Sequence, residues 1–270
     1  MTVTPEETDK RYQFARQVAQ DAADFAFSYY QQRQQLVVER KAGNMQDLVS
    51  RADREVEDLI RTRLKREYPE DGFLGEEGGA SASDSHFVWV VDPIDGTSCF
   101  LNGLHTWCIA VAVLAGGEPV IGVICDPNHR ELFHASKGHG AWLNETPMQV
   151  HKGRSVQEGI TGISNSPKIA PERITHFING LMQQGGMFMR SGSGALTTAY
   201  VAAGRLTGFY EPHMSAWDGL AGVVLVREAG GVSNDFLANN CLQHGNALLL
   251  ANNEAVWLQL KAFTDGPLQA

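Results

Sequence analysis

The chain has 270 residues, 43% of them hydrophobic, which suits a globular protein with one large core or two closely packed ones and excludes a disordered chain. Its formal net charge of −9, from 31 acidic and 22 basic residues without a basic stripe, speaks against direct binding of a nucleic-acid backbone. No apolar run approaches the roughly 20 residues needed to cross a bilayer, and the polar start from Met1 to Lys10 is unlike a signal peptide, so the expected location is the cytoplasm.

Thr4-Pro5-Glu6-Glu7 is a capping box with Pro at the first helical position, and Tyr12, Ala15, Val18, Ala22, Phe25 and Tyr29 follow at helical spacing. A long amphipathic helix therefore opens the chain. Ser50 and Asp53 can start a second helix, with Val56, Leu59, Ile60 and Leu64 on one face and Asp53 as the capping-box acid. Gly75-Glu76-Glu77-Gly78 sets carboxylates beside glycines, the composition of a tight turn. The apolar run Phe87 to Val91 reads as a buried strand, and Pro93 biases Asp92 away from helical geometry, so Asp92 is expected at that strand's carboxyl end. Ligands gather at such ends in α/β sheets. Asp92-Pro93-Ile94-Asp95-Gly96-Thr97 is the most informative stretch, placing two carboxylates, a turn and a hydroxyl within six residues. Gly96 permits a sharp turn, and a helix starting just beyond it would aim the Gly96 and Thr97 amides at an anion.

Further along, Gly116-Gly117 separates Trp107–Leu114 from Val120–Asp126, a hairpin of buried strands. Cys99, Cys108, Cys125 and Cys241 lack C-x-x-C spacing and are expected as buried thiols. The histidines show no zinc spacing, and His134 and His139 are assigned surface or packing roles. Beyond Val150 the pattern alternates: helices over Pro171–Gln184 and Ala195–Ala203, a strand over Leu206–Tyr210, a helix over Asp218–Ala229, a strand over Ala247–Ala251 and a final helix. Ser191-Gly192-Ser193-Gly194 lacks the Lys of a P-loop and reads as a turn before a helix. Glu211 is either a site acid or a surface charge at a strand end, with Pro212 stopping the strand. Residues 1–150 thus form an amino-terminal α+β half, and residues 151–270 an α/β half.

Gathering Glu76, Asp92, Asp95 and Asp218 into one pocket would set four negative charges against one another unless cations intervene. An all-oxygen donor set points to Mg²⁺ or Mn²⁺ rather than zinc. Asp-Pro and Asp-Gly are also common turn dipeptides, but that reading leaves Glu76 and Asp218 in matching contexts unexplained.

From about Lys41 to Ala251 the chain resembles the inositol monophosphatase family of metal-dependent, lithium-sensitive phosphomonoesterases. The resemblance rests on Asp47-Leu48-Val49 through Asp53, Gly75-Glu76-Glu77, Asp92 to Thr97, and Trp217-Asp218 with the following Ala229-Gly230-Gly231, all in the family's order. It implies a layered α-β-α-β-α sandwich and a homodimer. It also implies that Glu76, Asp92 and the Ile94 carbonyl hold a first Mg²⁺, that Asp92, Asp95 and Asp218 hold a second, and that a third, weaker ion rests on Glu76 and waters. Thr97 and Asp53 would orient the attacking water, and a water near Asp218 would protonate the leaving oxygen. Phosphate would lie on the Gly96 and Thr97 amides, with Ala195 and Glu211 contacting the rest of the substrate.

Three stretches depart from the family's usual pattern. Ser98-Cys99-Phe100 replaces Thr-Asn-Phe, Arg190-Ser191-Gly192-Ser193-Gly194-Ala195 replaces Arg-Ser-Val-Gly-Thr-Ala, and the spacer from Lys41 to Asp47 is one residue longer. The implied activity is hydrolysis of a small phosphate monoester by metal-activated water, inositol monophosphate first and histidinol phosphate or a sugar phosphate as alternatives. A regulatory role on the transcription machinery, as in some bacterial members, is the alternative of another class.

Overall fold

The computed structural model describes residues 3–36, 38–40, 48–82 and 84–264. The spacer from Lys41 to Asp47 lies outside them.

Helix α1 (Pro5–Gln31) starts at the expected capping box, with the Thr4 side chain accepting from the Glu7 amide and the Glu7 carboxylate from the Thr4 amide. Its Ala-rich stripe, Ala15, Val18, Ala19, Ala22 and Ala26, is fully buried, so the helix sits close against its sheet. Strands β1 (Val38–Arg40) and β2 (Leu48–Ser50) pair antiparallel and lead into α2 (Arg51–Glu67). The Ser50/Asp53 capping box forms there as expected.

Strands β3 (Gly72–Gly75), β4 (Gly79–Ser81), β5 (Phe87–Asp95), β6 (Cys108–Ala115), β7 (Glu118–Asp126), β8 (Glu131–Ser136), β9 (Ala141–Leu143) and β10 (Thr146–Met148) form one sheet in the order β10-β9-β8-β7-β6-β5-β3-β4. Only β3 and β5 pair parallel in it, among the described residues. The hairpin expected at Gly116-Gly117 joins β6 to β7. Helix α3 (Thr97–Leu101) follows β5 directly.

A second sheet holds β11 (Ile160–Ile163), β12 (Met187–Met189), β13 (Gly208–Met214), β14 (Val232–Ser233) and β15 (Asn246–Ala251) in the order β12-β11-β13-β15-β14. Helices α4 (Pro171–Gln183), α5 (Gly194–Ala202), α6 (Ala216–Glu228), α7 (Cys241–His244) and α8 (Glu254–Lys261) complete the chain. Helices α1 and α2 cover the outer face of the large sheet, α5 and α6 pack against both sheets, and α4 and α8 cover the outer face of the small one. Three hydrophobic clusters fill the successive interfaces. The result is the layered α-β-α-β-α sandwich, and its near-continuous apolar α6 is explained by burial on both sides.

Two strand ends differ from expectation for one shared reason. Strand β5 does not stop at Asp92 but continues to Asp95, and β13 does not stop before Pro212 but continues to Met214. In each case the pairing register shifts across the proline, between Asp92 and Asp95 and between Glu211 and Met214. The missing proline N–H falls where the ladder is already broken, so the strand survives. Helices α5 and α6 also start one and two residues earlier than their patterns suggest.

Candidate active site and metal centre

The irregularity in β5 falls between Asp92 and Asp95, the two carboxylates at the end of the strand. The Asp92 carboxylate accepts from the Ile94 amide at 2.9 Å, closing a local turn over Pro93. Gly96 then takes a left-handed conformation, φ +91°, that lets α3 begin at Thr97. A side chain at Gly96 would also press its Cβ within 2.8 Å of the Thr106 carbonyl, so only glycine fits.

Asp218, in the first turn of α6, meets this strand end from the middle layer. Carboxylate oxygens of Asp92, Asp95 and Asp218 lie within 4.8 Å of one another, the one group of three or more metal-ligating side chains found among the described residues. Asp92 and Asp95 are buried and Asp218 is half-buried. Burial, together with mutual repulsion, pushes the Asp92 and Asp218 carboxyls well above the ordinary carboxylate range. The two are hydrogen-bonded to each other. Glu76, in the turn after β3, adds its charge to both while standing outside the compact trio. Its amide donates to the Val91 carbonyl at 3.3 Å, so the turn is pinned beside Asp92.

Asp95 is held differently. The Ser193 hydroxyl and the Ala195 amide, the latter at 2.8 Å, both donate to its Oδ2, and the Cys108 thiol lies 3.8 Å away. Burial raises its pKa, and these donors at the α5 N-terminus oppose the rise. Ala195, expected among the substrate contacts, thus has its amide committed to Asp95. All four cysteines are buried and unpaired, Cys108 deepest against the site.

Thr97 and Asp53 come together from the starts of α3 and α2. The Thr97 hydroxyl is 3.1 Å from both Asp53 Oδ1 and the Ile94 carbonyl, one proton serving two acceptors. Asp53 keeps its capping bonds through the other oxygen, from the Ser50 amide at 2.8 Å and hydroxyl at 2.7 Å. The capping role and the contact with Thr97 therefore coexist in one buried carboxylate, whose pKa burial raises.

Glu211 is not a surface charge. It is 7% exposed, paired with Leu248 across the sheet, and its Oε2 lies 3.4 Å from where a Cβ at Gly194 would stand. Burial pushes its pKa up to about 8; a hydrogen bond from Ser164 opposes this, the Asp95 charge adds to it and Arg190 opposes it.

Two residues invisible to the motif reading take part. Ser193 caps α5 and donates to Asp95. Glu57 holds the Glu76 turn by accepting from the amides of Glu77 at 2.8 Å and Gly78 at 2.7 Å. The signal for Glu57 was its place four residues after Asp53 on one helix face; for Ser193 it was a cap residue before a helix.

Known proteins share this fold and part of this sequence. The pattern of the inositol monophosphatase family matches residues 7–262. The Nus factor SuhB of Xylella fastidiosa is 41% identical over 192 residues, 70% of each chain. The inositol-1-monophosphatase of Mesorhizobium japonicum is 37% identical over 228 residues, 83% of this chain and 85% of its own. The crystal structure of the extragenic suppressor protein SuhB from Bartonella henselae superposes with a TM-score of 0.85 at 32% identity, covering 93% of this chain and 97% of that one.

Proposed function

This chain belongs to the inositol monophosphatase family of phosphoric monoester hydrolases, and from that premise we propose that it hydrolyses inositol monophosphate in a reaction that depends on Mg²⁺. The observation that carries the reading is the Asp92, Asp95 and Asp218 trio, three carboxylates within 4.8 Å. Their donor atoms are all oxygen, which fits Mg²⁺ or Mn²⁺. Glu76, Asp92, the Ile94 carbonyl, Asp95 and Asp218 are the groups that would hold the ions. Bound there, the ions would lower the pKa of a water and offset the charge growing on the leaving oxygen.

The chain's own groups divide the remaining work. Thr97, backed by Asp53, orients the attacking water through its hydroxyl oxygen. The Gly96 and Thr97 amides receive the phosphate. Ser193 and Ala195 keep Asp95 turned toward the cluster, and Asp218 holds at its carboxylate the water that protonates the leaving oxygen.

The state of Glu211 favours a polyol. Burial pushes its pKa up to about 8, and a carboxyl that carries its proton can both accept from and donate to neighbouring ring hydroxyls. A neutral acid gives little attraction to the ammonium of histidinol phosphate, the runner-up, and sugar phosphates stand between the two. Steady-state kcat/KM for the three ester classes with Mg²⁺ tests this. A preference for histidinol phosphate would overturn the substrate assignment.

A second reading has its own support, since relatives at 41% and 36% identity carry the name Nus factor SuhB. In it the chain also acts beside the transcription machinery, through protein contacts that its acidic charge permits. Retention of transcription proteins by Asp218→Asn at wild-type level would support that role, and their absence from wild-type pull-downs would remove it. We place the protein, as a homodimer, in the cytoplasm; no helix among the described residues is long and apolar enough to cross a membrane.

A further inference from the structure

We infer that Glu57 is a positioning residue that fixes the direction of Glu76, and so sets the affinity of the carboxylate cluster for a divalent cation. The inference rests on the metal-dependent reading above. Glu57 is 2% exposed on α2, one turn beyond Asp53, which is 1% exposed. Two carboxylates buried on one helix face within a single turn are costly to keep. Packing does not require them there, but each has a distinct set of donors. Asp53 takes Ser50 and Thr97. Glu57 takes the backbone of the turn after β3.

The contact is a clamp with two prongs. Oε2 accepts from the Glu77 amide at 2.8 Å and Oε1 from the Gly78 amide at 2.7 Å. Successive amides of this kind form an anion-binding concavity, here filled by an internal carboxylate. Arg61 braces the clamp from outside, with Nη2 2.9 Å from Glu57 Oε1 and 3.2 Å from the Gly79 carbonyl, and its guanidinium lies over Phe73 at 4.2 Å.

The turn fits only because glycines line it. A Cβ at Gly75 would stand 2.3 Å from Glu57 Oε2, and one at Gly78 2.6 Å from Oε1. Glu76 is therefore held from both sides, by its own amide on the Val91 carbonyl and by Glu57 on the two amides that follow. Helix α2 thereby joins two parts of the site: Asp53 holds Thr97, and Glu57 holds the loop that carries Glu76.

Binding of Mn²⁺ without substrate, followed by electron paramagnetic resonance, separates this role from simple stabilisation. Glu57→Gln presents an amide donor where a backbone donor needs an acceptor, and it is expected to raise the Mn²⁺ Kd by about tenfold or more, as loss of a supporting partner does in other metal sites. Arg61→Gln loosens the brace and is expected to raise it about threefold. Glu228→Gln is the control, because Glu228 holds an unrelated turn by accepting from the Gly138 and Gly140 amides at 3.0 and 2.9 Å. It is expected to lower Tm while leaving the Kd unchanged.

A folded Glu57→Gln protein with wild-type Mn²⁺ affinity overturns the inference. If that variant does not fold, an unchanged Kd in Arg61→Gln overturns it instead. Wild-type protein that binds no Mn²⁺, or Asp92→Asn that binds it as wild type does, overturns the metal-dependent reading itself.

Discussion

Glu211→Gln isolates the cost of burying one carboxyl group. Burial lifts the pKa of Glu211 from 4.5 to about 8. Below pH 4.5 the folded and unfolded chains both carry the proton, and the group contributes nothing to pH dependence. Above that value the unfolded chain ionises while the folded chain keeps its proton, so stability falls as pH rises until about pH 8. At about 1.4 kcal/mol per pH unit, the interval from 4.5 to 8 costs about 5 kcal/mol, of which about 4 falls between pH 5 and pH 8. Glutamine has nearly the same shape and no proton to hold, so it removes the slope. Urea unfolding in chelator at pH 5, 6.5 and 8 measures the difference. Wild type is expected to lose about 4 kcal/mol more than the variant across that range, leaving Glu211→Gln the more stable protein at pH 8. Parallel stability curves would refute the buried, neutral carboxyl and the polyol argument built on it.

Two substitutions test the remaining assignments. Thr97→Ala is expected to lower kcat by about 10² with little change in KM, because the hydroxyl acts on the water and not on the bound ester; a loss confined to Tm would leave Thr97 a turn residue only. Ser193→Ala removes both the cap of α5 and a donor to Asp95, so it is expected to cost about 1 kcal/mol in urea unfolding and to raise the Mg²⁺ concentration for half-maximal activity about tenfold. Ser193→Thr should restore both, and a stability loss without a metal effect would remove Ser193 from the site.

The local signals in the sequence were strong where one segment satisfied its own needs. The Thr4 and Ser50 boxes closed as read, because cap and acid lie three residues apart. The Gly116-Gly117 hairpin formed because two adjacent apolar runs had no other partner as near. What escaped depended on partners far along the chain. Pro212 reads as a strand stop and Asp92, before Pro93, as a strand end, and the register shifts that carry both strands further exist only once β6 and β15 are in place. Glu211 reads equally as a site acid or a surface charge until β15 and the α5 N-terminus enclose it. Ser193 reaches across 98 residues to Asp95, and Glu57 across 20 to Glu77, so neither could be read from a motif. Asp92, Asp95 and Asp218 are legible as a group because acids beside glycines or a proline at several places are hard to explain by turns alone, while Glu76, read with them, stands outside the compact trio.

Phosphate release from inositol monophosphate, measured in chelator and again after Mg²⁺ is returned, bears most directly on the central claim that the Asp92, Asp95 and Asp218 cluster makes this chain a metal-dependent phosphatase. Wild type should be inactive in chelator and recover with Mg²⁺, while Asp218→Asn and Asp92→Asn should lose most activity even at saturating Mg²⁺. Full activity in chelator, or wild-type rates in both variants, would contradict it.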